Sequence, residues 1–340
     1  MSDKKVVLGL SGGVDSSVAA LRLLAEGYEV YALYLDIGFG GEEPARRTAE
    51  QLNLPFAVRD ISRDLEEFVC RPFYEDYLAG RTPIPCARCN PTVKFPSLLR
   101  YADEIGAPYV ATGHYARIGT GTDGGPLLLR GMPANDQSYM LARLPREMLG
   151  RVILPLGDVE KTDTRKEAAE GELDTADKPD SMEICFIPDN DYASWLDKRG
   201  GTPLPGNFVD MDGKVLARHK GIHHYTLGQR RGLGVSSTGR LFVAEIRPHT
   251  NEVVLSHGEG LHADVVRCKE LNWLAEGECK ERPVTVRLRH SKREDSALLI
   301  PLPDGGAELR MEKPARAPTP GQLAVFYDGD TVLGSGWITE

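Results

Sequence analysis

The feature that most constrains the fold is a glycine-rich loop near the N-terminus, between an apolar run and a helical pattern. Residues 6–8 (Val-Val-Leu) are typical of a short buried parallel strand. Behind the loop, apolar residues recur at helical spacing from Val18 to a plausible stop at Gly27. The two adjacent glycines, Gly12 and Gly13, let backbone N–H groups turn toward one point at a helix N-terminus. The sequence therefore predicts a strand–loop–helix unit that binds an anion.

The N-terminal half repeats this alternation of strand and helix. The expected strands are 28–36, 56–60 and 108–112, and the expected helices are 43–52, 65–79 and 95–105. Such alternation predicts a doubly wound α/β domain around a parallel sheet. Ligands of these sheets bind beyond the carboxyl ends of the strands, and Gly113 and His114 follow the last expected strand. We therefore expect His114 to face a ligand.

Length, charge and hydropathy limit the class of protein. A chain of 340 residues normally forms two or three domains. No apolar run approaches the roughly 20 residues of a membrane span, and the segment after Lys4-Lys5 is too short for a signal peptide. We therefore expect a cytoplasmic protein that does not bind membranes. The net charge of −9 argues against broad nonspecific nucleic-acid binding, although a local basic face remains compatible with it.

The C-terminal half is predicted to be rich in β-strands. A Gly/Thr-rich turn at 119–125 first predicts a hairpin within the N-terminal half. After about residue 191 short strands are expected, at 206–209, 214–216, 241–246 and 252–256. Further strands suggest a closed barrel, at 263–268, 284–288, 297–300, 307–311 and 323–327. Basic residues gather at 218–231 and 284–293. Each cluster has two possible interpretations, a contact with a phosphate backbone or a solvated charged face.

Six cysteines in a reducing compartment point to catalysis or metal binding before disulfides. Cys86 and Cys89 form a C-x-x-C motif in a proline-rich stretch that we expect to be a stiff loop. A zinc knuckle, a thioredoxin-like motif and a nucleophilic or cluster-binding thiol are the three interpretations. Arg88 and Lys94 would favour the thiolate of the last. Cys185, taken alone, is expected in the core, as are Cys70, Cys268 and Cys279.

The motifs taken together closely resemble those of the bacterial tRNA-specific 2-thiouridylases. Ser-Gly-Gly-Val-Asp-Ser-Ser at 11–17 resembles the pyrophosphate loop (PP-loop) of ATP pyrophosphatases, and the match continues along essentially the full chain. The other matching segments are 79–83, 89–90 with 94–95, 111–116, 136–139, 180–181 with 184–186, 224–230 and 319–322.

The resemblance implies ATP-dependent 2-thiolation of the wobble uridine of tRNA. It implies a doubly wound parallel-sheet ATP-pyrophosphatase domain at 1–197, a central β-rich tRNA-contacting domain at 198–260 and a C-terminal β-barrel at 261–340. The uridine O2 would be adenylated with the help of Mg²⁺. Cys185 would then deliver sulfur as a persulfide, and Cys89 would release it by forming a transient disulfide with Cys185. A loop that holds ATP phosphates must therefore share one cavity with both thiols.

The resemblance also implies binding residues and partners. ATP would contact Gly9, Leu10, Ser11, Gly12, Gly13, Val14, Asp15, Ser16, Leu35 and Gly113. The tRNA would contact Ile84, Pro85, Cys86, His114, Asn135, Asp136, Gln137, Arg287, Leu288 and Gln322. A sulfur-donating protein (a cysteine desulfurase or a relay protein) is the implied partner of a monomeric enzyme.

Several positions depart from the family pattern. Ile84, Asn135 and Glu183 stand where the family usually has Asn, Lys and Gly, and the loop at 236–239 is short. Cys86 occupies a position where some members carry Asp, so Cys86, Cys89 and Cys185 could together hold a [4Fe–4S] cluster instead of a persulfide relay.

Two other functional classes stay open on the sequence. An amidating ligase of the PP-loop type would act on a small molecule, but it offers no role for Cys89 and Cys185. A zinc-stabilised RNA-binding protein would have no use for the intact pyrophosphate loop.

Overall fold

The computed structural model describes residues 4–179 and 184–339. In the N-terminal part the strands are β1 (Lys5–Gly9), β2 (Glu29–Asp36), β3 (Phe56–Asp60), β4 (Tyr109–Ala111), β5 (Ala116–Thr120), β6 (Pro126–Arg130) and β7 (Val152–Ile153). The α-helices are α1 (Val14–Ala25), α2 (Glu43–Gln51), α3 (Ser62–Leu65), α4 (Arg71–Leu78), α5 (Pro85–Cys89), α6 (Phe95–Ile105), α7 (Ser138–Leu141), α8 (Arg146–Leu149), α9 (Lys161–Glu170) and α10 (Tyr192–Arg199). Among these described residues, no helix is long and apolar enough to cross a membrane.

The N-terminal sheet is parallel and confirms the predicted doubly wound α/β fold. Its strand order within the described residues is β3-β2-β1-β4-β7. The order reverses between β1 and β4, and this switch point is where open parallel sheets leave a crevice for ligands. Gly9 and the segment 112–114 therefore end side by side at this crevice.

The proline-rich stretch 82–91 is helical, so the prediction of an irregular loop is wrong. Helix α5 continues through a π-helical turn (Asn90–Lys94) into α6. Pro85 occupies the first turn of α5, where its missing N–H costs no helical hydrogen bond. Pro91 cannot donate to the carbonyl of Ala87, and the wider π turn accommodates its ring. Cys86 and Cys89 of the C-x-x-C motif therefore both lie on α5, which begins at Pro85.

The central part is a four-stranded sheet over its described residues, with order β10-β11-β8-β9. Its elements are β8 (Asn207–Val209), β9 (Val215–Arg218), a 3₁₀ turn (Ile222–His224), β10 (Phe242–Arg247) and β11 (Glu252–Ser256). Phe208, Val243 and Val253 are among the buried residues of its own small core.

The C-terminal part is the predicted closed barrel. Its strands are β12 (His262–Trp273), β13 (Arg282–Arg287), β14 (Asp295–Pro301), β15 (Ala307–Arg316), β16 (Leu323–Asp328) and β17 (Thr331–Ile338). Pairing of β12 with β17 closes the barrel. The sequence patterns missed β17, because Gly334 and Gly336 interrupt its apolar run.

The barrel is joined to the N-terminal part by more than the chain itself. The predicted hairpin forms as β5–β6, and Leu129 of β6 pairs with Thr331 of β17. The Tyr139 hydroxyl donates to the Leu323 carbonyl at 2.9 Å, and Ser335 Oγ donates to the Ala142 carbonyl at 2.8 Å. These contacts attach the barrel beside the crevice of the parallel sheet.

Candidate active site

The loop between β1 and α1 presents backbone N–H groups at the carboxyl end of β1. Gly13 is the N-cap residue of α1, and within the described part of the chain no side chain caps this helix end. The first amides of α1 therefore remain available to an anion. Ser16 braces the loop, because its Oγ accepts from the Ser11 amide at 3.2 Å and donates to the Gly13 carbonyl at 3.1 Å.

At Gly12 and Gly113 a neighbouring backbone segment comes so close that there is no room for a side chain. Gly12 has a φ of +73°, and a Cβ there would lie 2.6 Å from the backbone nitrogen of Ala45. A Cβ on Gly113 would lie 2.8 Å from the carbonyl carbon of Asp15. The backbone after β4 thus packs closely against the first turn of α1. Gly113 therefore lies beside the β1–α1 loop (residues 10–13), the predicted phosphate loop.

Asp15 is held by residues from two other elements. The Lys161 ammonium lies 2.5 Å from Asp15 Oδ1, and the buried Tyr115 hydroxyl donates to the same oxygen at 2.6 Å. Thr164 Oγ1 lies 3.0 Å from that hydroxyl. Lys161 and Thr164 belong to α9, so this helix fixes the loop. The sequence analysis missed Lys161, because no motif marks it and only the packing of α9 against α1 brings it to the loop.

A cavity of about 410 Å³ lies at the switch point of the sheet and brings the predicted groups together. Its walls include Gly9, Ser11, Asp15 and Ser16 from the loop, Leu35 from β2, Gly113 and His114 after β4, and the two thiols of Cys89 and Cys185. The expected meeting of the phosphate loop with both cysteines in one cavity is therefore observed.

Apolar anchors hold Cys185 at this wall. Phe186 and Ile187 are buried in a cluster with Phe73, and the Phe186 ring lies 5.3 Å from the rings of both Phe73 and Trp195. Cys185 itself is exposed, so the expectation that it lies in the core is wrong. The reason is that its two apolar neighbours fill the core in its place. Cys70 and Cys268 are buried as expected, whereas Cys279 is half-buried.

Neither cavity thiol is activated in the structure. Burial raises the pKa of Cys89 to about 11, and the Lys94 ammonium only partly opposes this. Desolvation likewise raises the pKa of Cys185. Arg88 does not help, since its guanidinium lies 3.8 Å from Asp76 Oδ2 and over the Trp337 ring. Lys94 thus favours the thiolate as expected, although desolvation outweighs it, whereas the expectation that Arg88 does so is wrong.

His114 faces the cavity as a neutral ring. Its Nδ1 lies 2.7 Å from Thr112 Oγ1, and its ring stacks on Phe95 at a centroid distance of 6.1 Å. Burial lowers the pKa of His114 well below its usual value, and Lys94 lowers it further. At neutral pH the imidazole can therefore stack or hydrogen-bond, but it does not act as a cation.

A second cavity, of about 530 Å³, opens on the other side of the loop. It shares Ser11, Asp15, Ser16 and Gln137 with the first, and Arg287 and Lys292 are among its other walls. The loop therefore borders both a space lined by the two cysteines and a space lined by basic residues.

All three arginines of the basic segment 284–293 are engaged within the protein. Arg287 is buried and bridges Asp136 Oδ2 at 2.5 Å and Glu294 Oε1 at 2.7 Å. Arg289 donates to the Ala317 carbonyl at 2.8 Å, and Arg293 pairs with Asp295. A phosphate-binding face on this segment would therefore depend on Lys292 rather than on the arginines.

Three family models match the chain in succession. Residues 4–189 match a tRNA methyl transferase HUP domain, residues 194–257 a tRNA methyl transferase PRC-barrel domain, and residues 263–338 an aminomethyltransferase beta-barrel domain. Curated relatives match over nearly the whole chain. The tRNA-specific 2-thiouridylase MnmA of Geotalea uraniireducens is 41% identical over 98% of this chain and 95% of its own length. The tRNA-specific 2-thiouridylase MnmA of Lachnoclostridium phytofermentans is 42% identical over 99% of this chain and 100% of its own length. This chain belongs to the MnmA family.

The names of the domain models and of the MnmA relatives point to different chemistries. The models are named for methyl transfer, whereas the full-length relatives are named for thiolation. Thiolation is the chemistry that the nearly full-length matches support, and the two cysteines that line the cavity are compatible with it.

The positions that the MnmA resemblance assigns to tRNA have different environments. Ile84 and Leu288 are buried in the core, so an RNA contact there would have to come from backbone atoms. Gln322 Nε2 donates to the Thr82 carbonyl at 2.8 Å, which ties the barrel to the segment before α5. Asn135 Nδ2 is buried without a hydrogen-bond partner among the described residues. Pro85 and Cys86 begin α5, and Cys86 is exposed.

Part of the predicted site lies outside the described residues. Glu183 and the Asp180-Ser181 motif both fall in the gap at 180–183. The roles assigned to individual residues by resemblance stay predictions.

Proposed function

We propose that this chain is a cytoplasmic, monomeric tRNA-uridine 2-sulfurtransferase that uses ATP to replace O2 of the wobble uridine U34 with sulfur. The observation that carries the proposal is the single cavity in which the phosphate loop faces Cys89 and Cys185. Membership of the MnmA family supports it. In this proposal residues 1–197 perform the chemistry, and residues 198–260 and 261–340 hold the tRNA.

The first step activates the base. Uridine O2 attacks the α-phosphorus of ATP, the bond to the β-phosphate breaks, and pyrophosphate leaves against the amides of α1. These fixed dipoles stabilise the negative charge of the leaving group without reorganisation. Leu35 and Gly113 line the same cavity and would contact the nucleotide. Asp15 would bind the Mg²⁺ that accompanies ATP, and the adjacent Lys161 ammonium would neutralise further charge.

The second step transfers sulfur. The terminal sulfur of a persulfide on Cys185 attacks C2, the C2–O bond breaks, and AMP leaves with the uridine oxygen. The Cys89 thiolate then attacks Cys185 Sγ, which breaks the sulfur–sulfur bond and leaves a thiocarbonyl on the base. The enzyme is left with a Cys89–Cys185 disulfide, which an external thiol reductant reduces to two thiols. A cysteine desulfurase or a relay protein supplies the persulfide sulfur.

The raised thiol pKa values are consistent with this order of events. A persulfide is more acidic than a thiol, so Cys185 becomes a good nucleophile when it is loaded rather than before. Cys89 stays protonated until it is needed, because its pKa of about 11 keeps the resting thiol neutral. The enzyme thereby avoids premature attack of Cys89 on the persulfide.

A [4Fe–4S] cluster held by three cysteines is a variant of the same function. Cys86, Cys89 and Cys185 are free thiols, and a charge on Cys86 would raise the pKa of both others, which supports a common location. Such a cluster would offer an open iron position to carry sulfur. Cys86→Ser separates the variants: a persulfide relay predicts thiolation within about 3-fold of the parent, whereas a cluster predicts loss of bound iron and of thiolation together.

Reconstitution tests the proposed function. The full chain is incubated with ATP, Mg²⁺, a cysteine desulfurase with L-cysteine, a thiol reductant and a tRNA transcript carrying U34, and the nucleosides are analysed by mass spectrometry. We expect 2-thiouridine at position 34 and one pyrophosphate per thiolated base. A transcript with C34 is the matched control and should release no pyrophosphate above background.

Other outcomes would contradict the proposal. AMP formation that needs ammonia or glutamine but no tRNA would identify an amidating ligase. Stoichiometric zinc together with tRNA binding and no ATP turnover would identify an RNA-binding protein.

A further inference from the structure

A group of nitrogen and oxygen donors lies outside both cavities, between the N-terminal part and the central sheet. Asp197 belongs to α10, whereas His223 and His224 lie in the 3₁₀ turn of the central part. His223 Nε2 is 2.9 Å from Asp197 Oδ1, and His224 Nε2 is 3.8 Å from Asp197 Oδ2. One donor atom from each residue lies within 4.8 Å of the other two.

These separations are close to what a tetrahedral zinc site requires. Zinc binds imidazole nitrogen and carboxylate oxygen at about 2.0–2.1 Å, so its tetrahedral ligand atoms lie about 3.3 Å apart. The observed separations, 2.9 Å to Asp197 Oδ1 and 3.8 Å to Asp197 Oδ2, involve different carboxylate oxygens and lie on either side of this value. Small rotations of the partly exposed Asp197 and His224 side chains would bring one Asp197 oxygen and both Nε2 atoms to bonding distance of one ion.

His223 is the most buried of the three residues, with a side chain that is 1% exposed. It would bind the metal through Nε2, the atom that lies beside Asp197. A Cβ on Gly221 would lie 2.5 Å from His223 Cε1 and 2.7 Å from the Pro203 carbonyl oxygen. Gly221 is therefore required for the observed position of the His223 ring.

We propose that Asp197, His223 and His224 bind one zinc ion, or a similar divalent transition metal that prefers nitrogen and oxygen ligands. The metal connects α10 to the 3₁₀ turn and so fixes the central part against the N-terminal part. His223 supplies the buried ligand through Nε2. The proposal is independent of the thiolation chemistry, because it shares no residue with that cavity.

Zinc titration of the full chain tests the site. The parent is a variant with Cys86, Cys89 and Cys185 changed to Ser, so that thiols do not compete for the metal. After treatment with a chelator and its removal, Zn²⁺ is titrated by calorimetry, and the melting temperature is measured with and without Zn²⁺. Asp197→Asn keeps the size of the side chain, His224→Ala removes a half-buried ligand, and His249→Ala on the exposed surface of the central part is the matched control.

We expect one zinc per parent chain, a gain in melting temperature on adding zinc, and the same behaviour in His249→Ala. Asp197→Asn and His224→Ala should bind zinc at least 30-fold more weakly and lose the gain in melting temperature. A parent that binds no stoichiometric zinc, or ligand variants that bind it as tightly as the parent, would overturn the proposal. In that case the three residues form only a hydrogen-bonded contact.

Discussion

The two halves of the active-site cavity are built in opposite ways. The phosphate half comes from one short segment, and its binding groups are backbone amides fixed by the β1–α1 connection. The sulfur half uses side chains from remote segments, Cys89 at the end of α5 and Cys185 after the gap at 180–183. In the proposed mechanism the first half is formed as soon as the chain folds, whereas the second half must be activated during the reaction.

Electrostatics reinforce this difference. A helix N-terminus carries a positive potential whose strength does not depend on pH near neutrality. The thiol of Cys89 is desolvated and therefore stays protonated, and Lys94 does not reverse the effect. We infer that the phosphate half sets the rate of ATP cleavage and that the sulfur half can be disabled without stopping it.

Removing either thiol gives the largest expected effect. Cys185→Ser and Cys89→Ser should each lower 2-thiouridine formation at least 1,000-fold, because the sulfur has no carrier or no release step. Pyrophosphate release that depends on tRNA should stay within about 3-fold in a single turnover. Cys279→Ser in the barrel, a half-buried thiol outside the cavity, is the control and should retain both activities. Loss of pyrophosphate release in the cavity variants would break the separation of the two halves.

Gly12→Ala should damage the phosphate half. The left-handed φ costs a non-glycine residue about 1–2 kcal/mol, and the Cβ would also press on the Ala45 backbone. We expect pyrophosphate release to fall about 100-fold. Gly124→Ala is the matched control, because Gly124 has a similar φ of +76° and open space around it. It should lose stability in a denaturant titration but keep full activity. Equal activity of the two variants would show that the loop tolerates displacement.

Lys161→Met tests whether the phosphate half extends beyond the backbone. Loss of the ammonium beside Asp15 should slow tRNA-dependent pyrophosphate release about 30-fold and leave tRNA affinity unchanged. Lys166→Met changes an exposed lysine on the same helix and should have no effect on the rate. If both variants release pyrophosphate at the parent rate, Lys161 is only a structural partner of Asp15.

The pH dependence of thiol alkylation tests the protonated state of the sulfur half. A pKa of about 11 for Cys89 means that raising the pH increases its thiolate fraction, from about 0.1% at pH 8. The rate of iodoacetamide labelling of Cys89, followed by peptide mass spectrometry, should therefore rise about tenfold per pH unit from pH 7 to 10. A plateau by pH 8 would show that Cys89 is already activated in the free enzyme.

The smallest expected effect belongs to the second cavity. Lys292→Ala should weaken tRNA binding about 3-fold and reduce the slope of log affinity against log salt by about one phosphate contact. Lys313→Ala on the exposed face of the barrel is the control. An unchanged salt slope in Lys292→Ala would remove this residue from the RNA contact surface.

The parts of the fold that depend on local chain geometry could be predicted. The first three strands and helix α6 follow from apolar periodicity and glycine placement, and the structure has them within one residue. The segment 9–17 forms the expected strand–loop–helix unit, with its loop at 10–13. The helical path of 85–94 could not be predicted, because four prolines between 83 and 96 signal a loop unless a π turn absorbs Pro91. The sixth barrel strand was hidden by Gly334 and Gly336.

The parts of the site that depend on tertiary packing could not be predicted from the sequence. The presence of Cys89 and Cys185 could be read from the motifs, but their raised pKa values reflect burial that no local pattern reveals. Lys161 and the Asp197–His223–His224 group reach their partners only through packing between elements. Arg287 looked like part of an RNA-binding cluster because its carboxylate partner Asp136 lies in another segment.

The most direct test follows the uridine oxygen. A tRNA with ¹⁸O at O2 of U34 is thiolated by the full chain, and the released AMP is analysed by mass spectrometry. If O2 is first adenylated and sulfur from Cys185 then displaces AMP together with that oxygen, one ¹⁸O atom appears in AMP for each thiolated base. Unlabelled AMP with the ¹⁸O in water or in pyrophosphate would contradict this account, because sulfur would then enter the base without prior activation of O2.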